Sequence, residues 1–332
     1  MSGVINWEVP QRVMVTGGNS MIGRAVVDTL FKRGLNHVDL VDVVPHAECD
    51  LLDIDQVRSR FQQFKPDYVI HAAGYNGGIE WNKKYPSTIF YRTVQMGLNV
   101  LEMSHRFSVS RVQSIISSCA YPNTDAEELK EEDFWNGPSN DSVDCHGHAK
   151  RFLDAFSRQI SKQHEGTRAT SVVLNNSYGP YDSYDPHKTK VVGAMVKRFV
   201  DAKNDNLPFV ECWGSGSPLR EFVYSKDAGE LIVKALESYC NPWFPLNLST
   251  GIEVSIKELA ETTAKVVGYE GEIRWDTSKQ DGQLRKKLNT DRMFEELYPE
   301  DKPKFTSLEE GLKKTVEWYE NASRRNSTLP EA

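Results

Sequence analysis

Three glycines define the first chemistry open to this chain. Gly17 and Gly18 follow the short apolar run Val13, Met14, Val15, and Gly23 opens a helical pattern in which Ala25, Val26, Val27 and Leu30 are apolar. A tight strand-to-helix turn asks for positive φ, and a pyrophosphate can lie close to backbone only where no Cβ intervenes. The free N–H groups at the start of the helix then hold the anion. The turn of Gly17, Gly18, Asn19, Ser20, Met21, Ile22 and Gly23 is therefore read as a dinucleotide cradle, with a plain structural turn as the alternative. Further along, Ser117 and Cys119 close a predicted strand, and His146 and Lys150 stand four residues apart on a predicted helix, hence on one face.

Elements must hold these groups in place. A helix from the glycine turn runs to Lys32, with Gly34 as its stop. A second strand is predicted over residues 37–41, closing on Asp42. An acid at that strand's end accepts from both ribose hydroxyls and repels a 2′-phosphate, so NAD(H) is favoured and NADP(H) remains possible. The plainer reading of Asp42 is a surface carboxylate. Asp50, Leu51, Leu52 and Asp53 precede a helix over 56–64, and a third strand runs into the small-residue turn Ala72, Ala73, Gly74. The glycine-rich residues 76–79 form a flexible loop before a long helix over 86–107. A strand over 112–116, a polar excursion over 124–144, a helix to residue 164 and a strand over 170–174 follow. Five strands alternating with helices predict an α/β fold, a Rossmann-type doubly wound parallel sheet. Its ligand crevice lies at the carboxyl ends of the strands, where these motifs fall. Beyond residue 180 the alternation loosens into a smaller C-terminal α/β region.

Composition narrows the classes. The chain has 332 residues, 39% hydrophobic and 26% charged, with a net charge of −7. That is an ordinary globular composition whose sign disfavours nonspecific nucleic-acid binding. Five widely spaced cysteines without a CxxC pair point to reduced thiols and to no metal site. No leader is read at the amino end and no apolar run approaches about 18 residues, so a cytoplasmic protein without membrane contact is expected.

Taken together, the motifs resemble a family. The glycine turn, the Asp50-Leu51-Leu52-Asp53 run, the Asn76-Gly77-Gly78-Ile79 loop, Ser117-Ser118-Cys119-Ala120-Tyr121-Pro122 and Asn176-Ser177-Tyr178-Gly179-Pro180 resemble the extended short-chain dehydrogenases/reductases. More narrowly they resemble the GDP-L-fucose synthases, as do the run from Trp213 to Phe222, Ser278-Lys279-Gln280-Asp281-Gly282 and Trp318-Tyr319. The likeness spans about residues 11–320.

The resemblance implies an NAD(P)-dependent epimerase/reductase acting on a GDP-4-keto sugar. It implies a dinucleotide-binding domain at residues 1–176 and 221–250, a nucleotide-sugar-binding domain at 177–220 and 251–323, and a frayed tail at 324–332. It assigns the cofactor to the glycine turn with Asp42, Asp50, Leu51, Ala72, Ala73, Gly74 and Lys150. The substrate falls to Gly78, Asn176, Arg198, Trp213, Arg220, Lys279 and Asp281. For reduction, Ser117 and Lys150 match, and His146 stands where the family has Tyr. For epimerisation, Cys119 matches one acid/base, and Lys190, read as a buried amine serving as base or, alternatively, as a solvated basic residue at a helix start, stands where the family has His. That Cys/Lys pair is similar to the GDP-mannose 3,5-epimerases, and His187 is a nearby substitute. Three readings of His146 stay open: a proton donor in place of Tyr, a site without net hydride transfer, or a nucleotide-sugar-binding protein without activity. His148 is expected to be structural. A homodimer is expected through the helices at 86–107 and 146–164.

Overall fold

The computed structural model describes residues 4–37, 39–185, 188–279 and 281–327. The buried apolar run becomes β1 (Val13–Thr16), and Ser20 starts α1 (Met21–Lys32) by accepting from the Gly23 amide. The chain does not re-enter the sheet over 37–41 as the pattern predicts. The Leu40 and Val41 amides both return to the His37 carbonyl in a turn, so β2 begins only at Val41 (Val41–Val44).

Next come α2 (Ile54–Phe64), β3 (Tyr68–His71), α3 (Ile79–Lys84), α4 (Pro86–Arg106), β4 (Arg111–Ser117), α5 (Asp144–Gln163) and β5 (Arg168–Leu174). Asp53 caps α2, accepting from the Asp55 and Gln56 amides. The short helix α3 replaces part of the expected flexible loop. Buried Asn82 pins that loop by donating to Asn76 Oδ1 and to the Gly77 and Gly78 carbonyls.

The remaining elements are β6 (Asn176–Tyr178), α6 (Val191–Asn204), β7 (Phe209–Trp213), β8 (Leu219–Tyr224), α7 (Ser225–Ser238), β9 (Leu246–Leu248), β10 (Glu253–Ser255), α8 (Ile256–Val267), β11 (Glu272–Asp276), β12 (Arg285–Lys286), α9 (Asp291–Leu297) and α10 (Leu308–Ser327).

Six strands form one parallel sheet in the order β2-β1-β3-β4-β5-β9. The strand order reverses between β1 and β3, which opens the crevice at their carboxyl ends. On one face Val13, Val15 and Ile70 pack with Val26, Leu30, Leu231 and Ile232 of α1 and α7. On the other, Met14, Val69 and Val112 pack with Val57, Phe61, Leu101 and Leu153 of α2, α4 and α5. β8 pairs instead with β6, β10 and β12 in a second sheet, and β7 pairs with β11. A separate core, including Phe199, Leu259 and Leu312, joins α6, α8 and α10. Among the described residues no helix is long and apolar enough to cross a membrane.

Candidate active site

The glycine turn has the shape its sequence demands. Gly17 adopts φ +68°, and a Cβ there would come within 2.8 Å of Ala73 backbone. A Cβ on Gly23 would overlap the Gly17 carbonyl. The turn thus packs flat against the β3 exit and against its own helix start. These residues fit a dinucleotide pyrophosphate. The Ala72 amide donates to Thr16 oxygen, which locks the two loops together.

A cleft of about 420 Å³ opens beside this turn. Ser20, Met21, Ile22, Ala72 and Gly74 line one side, and Ser117, His146, Lys150 and Lys190 line the other. Asn175, Ser177, Tyr181 and Asp182 complete the wall, none of which the sequence singles out for the site. Gly17, Gly18, Asn19, Gly23 and Ala73 do not line the cleft themselves; Gly17 packs on Ala73 backbone and Gly23 on Gly17 and Gly18.

Helical spacing brings His146 and Lys150 to the same buried face of α5, while His148 is exposed. Lys150 Nζ donates to the Ile115 carbonyl at 2.9 Å and lies next to Gly74. Burial, helped by the Lys190 charge, pushes its amine down to about 8. His146 is 5% exposed, and its Nδ1 is buried without a partner. Burial first, then the charges of Lys150, Lys190 and Lys286, hold it well below its usual range, so the imidazole is neutral at neutral pH. Among the described residues no hydrogen bond links His146 to Ser117. Ser117 Oγ instead accepts from the Cys119 amide at 3.2 Å. Deeper in, buried His71 bonds Thr16 Oγ1 at 2.8 Å, and burial with the Lys150 charge lowers it to about 3.

Cys119 sits on the turn just past β4. Burial alone would raise its thiol, but Lys286, the Ser117 hydroxyl and Lys190 outweigh that, and the net shift is downward. Lys286 Nζ stands 3.7 Å from its Sγ. Sequence reasoning missed Lys286, since it lies on a two-residue strand whose pairing with β8 is formed by the fold. Lys190 corrects the expectation of a buried amine in favour of the alternative, a solvated residue at a helix start: it is solvent-exposed at the N-cap of α6, where its side chain still reaches the cleft. His187 lies outside the described residues.

Asp42 is a second correction. It is the second residue of β2, opposite Met14, and not at the strand's end. Strand alternation sends it to the α2 face, where its buried carboxylate takes a two-pronged hydrogen bond from Arg60 at 2.5 and 2.9 Å. The acid expected to grip ribose is therefore committed to a structural pair. Asp50 and Leu51 lie on the loop after β2. Asp50 Oδ1 accepts from the Leu52 amide, and buried Leu51 offers its carbonyl to Asn99.

The expected substrate residues divide into groups. Arg220, on β8, lies near enough to Cys119 for their charges to interact, with Nη1 on the Leu219 carbonyl at 2.7 Å. Gly78 caps α3 beside the Thr189 carbonyl. Asn176 turns its amide to Asn175 Oδ1 and the Glu221 carbonyl. Trp213, 63% exposed, has Lys279 Nζ 5.8 Å from its ring centroid. Asp281 staples the turn just after Trp213, accepting from the Ser215 amide and hydroxyl at 2.9 and 2.6 Å. Arg198, on α6, donates to the Glu211 carbonyl near the same strand.

Comparison with known proteins agrees with this fold. Residues 13–242 match the NAD dependent epimerase/dehydratase family. GDP-L-fucose synthase of Escherichia coli (strain K12) is 32% identical over 327 residues, covering 95% of this chain and 98% of that protein. The GDP-L-fucose synthase of Sinorhizobium fredii (strain NBRC 101917 / NGR234) is 34% identical over 309 residues, covering 93% of this chain and 95% of that protein. A GDP-L-fucose synthetase from Naegleria fowleri, solved with NADP bound, superposes with a TM-score of 0.87 at 26% identity, covering 100% and 99% of the two chains.

Proposed function

The chain belongs to the NAD dependent epimerase/dehydratase family, and from that premise we propose that it is an NAD(P)-dependent epimerase/reductase acting on a GDP-4-keto sugar. The observation that carries this reading is the convergence of Ser117, His146, Lys150 and Lys190 on one cleft beside the glycine turn, with Cys119 adjoining.

The nicotinamide, when bound, supplies hydride to the ketone carbon; the chain's residues do the rest. The α1 amides and the glycine turn hold the pyrophosphate. Cys119 takes a proton from a carbon beside the ketone, and its electron pair moves into the enolate. Lys190 returns a proton to the opposite face, so the stereocentre inverts. In the reductive step a proton must reach the ketone oxygen. Neutral His146 donates a hydrogen bond to that oxygen, as an imidazole without charge can do. Lys150, still protonated below about pH 8, supplies the proton and the positive field. Arg220, Trp213, Arg198 and Lys279 grip the nucleotide sugar by charge and stacking.

With Asp42 occupied by Arg60, a preference for NAD(H) has lost the group on which it was argued, and the cofactor reading rests at NAD(P)(H). Exposed Phe90 and Tyr91 on α4 and Phe152 on α5 support a homodimer joined through those helices.

The function is tested by supplying NADH and NADPH with a panel of GDP-4-keto sugars and following nicotinamide absorbance. Consumption dependent on the keto sugar supports the reading. Consumption with no member of the panel, for either cofactor, sinks the reductase half of it.

A further inference from the structure

Lys286 is fixed on both sides. Arg285 and Lys286 pair in register with Leu219 and Arg220 of β8. The Lys287 carbonyl accepts from the Leu129 amide at 2.8 Å, and the Lys287 ammonium binds Glu128 at 2.5 Å, away from Cys119. Behind these contacts a buried chain of hydrogen bonds ties the strand to the turn that carries the thiol. Ser118 Oγ donates to Asn175 Oδ1 at 3.1 Å, and Asn175 Nδ2 donates to Glu221 Oε2 at 2.6 Å. The Leu288 amide donates to the same carboxylate oxygen at 2.8 Å. All four residues are buried, Glu221 completely. A network of this kind, nearly satisfied and shielded from water, holds its ends rigidly.

We infer that Lys286 is a positioning residue for Cys119: locked in place by the Ser118–Asn175–Glu221–Leu288 network, its ammonium keeps the neighbouring sulfur as thiolate. The inference rests on the reading of Cys119 as the epimerisation base.

The other groups around the sulfur do not take this part. Lys190 is exposed to solvent at the start of α6. Arg220 spends Nη1 on the Leu219 carbonyl. His146 and Cys145 of α5 bring no charge, the first held neutral and the second a thiol raised by burial that donates to Asn82 Oδ1 at 3.4 Å. Ser117 contributes a hydroxyl dipole. Lys286 alone among the described cations has its nitrogen in hydrogen-bond contact with Sγ, and an ammonium binds a thiolate far more strongly than a thiol.

The test is alkylation of the protein by iodoacetamide across a pH series, read by mass spectrometry on the peptide carrying Cys119. Neither cofactor nor sugar is present, so the result stands whatever reaction the enzyme performs. In the wild type the reactive form should titrate below the ordinary cysteine value of about 8.5. Lys286→Met should slow alkylation at pH 7 about tenfold and move the midpoint upward, and Lys286→Arg should recover the rate to within about threefold. A wild-type midpoint at or above the ordinary value, or equal rates for wild type and Lys286→Met, overturns the inference. Should Lys286→Met not fold, the wild-type midpoint decides alone. Intact alkylation behaviour in a protein inactive on every keto sugar would remove the functional reading and leave the ion pair standing.

Discussion

Replacing Lys150 with Met separates the electrostatic cost of this site from its packing. In the folded chain the Lys150 amine is pushed down to about 8, against 10.5 for an unperturbed lysine. Below the folded value both states carry the ammonium, and the full penalty of holding it in a 6% exposed site among other cations is present. Above the unfolded value both states are neutral and the penalty is gone. Between the two, the unfolded chain binds more protons, so wild-type stability contributed by Lys150 rises with pH. The linkage relation gives a gain of about 2 kcal/mol between pH 7 and about pH 9.5, and about 3.4 kcal/mol across the whole window. Lys150→Met keeps the stem's bulk, loses the hydrogen bond to the Ile115 carbonyl and cannot titrate. The lost hydrogen bond sets a constant offset. The variant's stability relative to wild type should therefore fall by about 2 kcal/mol from pH 7 to about pH 9.5, while every other titrating group cancels in the comparison. Urea unfolding followed by circular dichroism at the two pH values measures it. A difference between variant and wild type that does not change with pH refutes a depressed lysine at this position.

Three other outcomes follow from named contacts. Cys119→Ser should abolish deuterium uptake from D₂O beside the ketone while substrate binding survives, as measured by NMR exchange and calorimetric titration, because a hydroxyl is too weak an acid to replace the thiol. Since His146 is already neutral, the reductive rate should fall as pH rises through about 8 with Lys150, show no break in the usual histidine range, and be kept or raised in His146→Tyr; steady-state pH profiles check all three. Asp42→Asn should lower stability by about 2 kcal/mol through the broken Arg60 pair and leave the ratio of NADH to NADPH affinity within about threefold of wild type, by thermal unfolding and fluorescence titration.

Much of this was legible in the chain because the signals are local. The apolar run at 13–15, the glycines that follow and the four-residue spacing of His146 and Lys150 depend only on strand and helix periods, and the fold brings His146 and Lys150 to one cleft beside the turn that those glycines form. Asp42 misled because its meaning depends on where a strand starts. A turn returning two amides to His37 delays β2 and moves the acid from the strand's end to its interior. The pattern around Lys190 allows a buried amine or a solvated residue at a helix start, and its position at the α6 N-cap leaves it in solvent. Lys286 carried no signal at all. It acquires its place through a two-residue strand, a parallel bridge to β8 and a carboxylate 65 positions earlier in the chain. Contacts of that range are set by tertiary assembly, not by local pattern.

The central claim, that one cleft both exchanges protons at carbon and delivers hydride to the ketone, is tested most directly by a single labelling experiment. A GDP-4-keto sugar is turned over in D₂O with unlabelled cofactor, and in H₂O with NADPH or NADH carrying deuterium at the transferred position, and the products are read by NMR. The account predicts solvent deuterium at the carbons flanking C4 in the first case, lost in Cys119→Ser, and cofactor deuterium at C4 in the second. A product bearing label from the cofactor nowhere, or flanking carbons that never exchange with solvent, would contradict it.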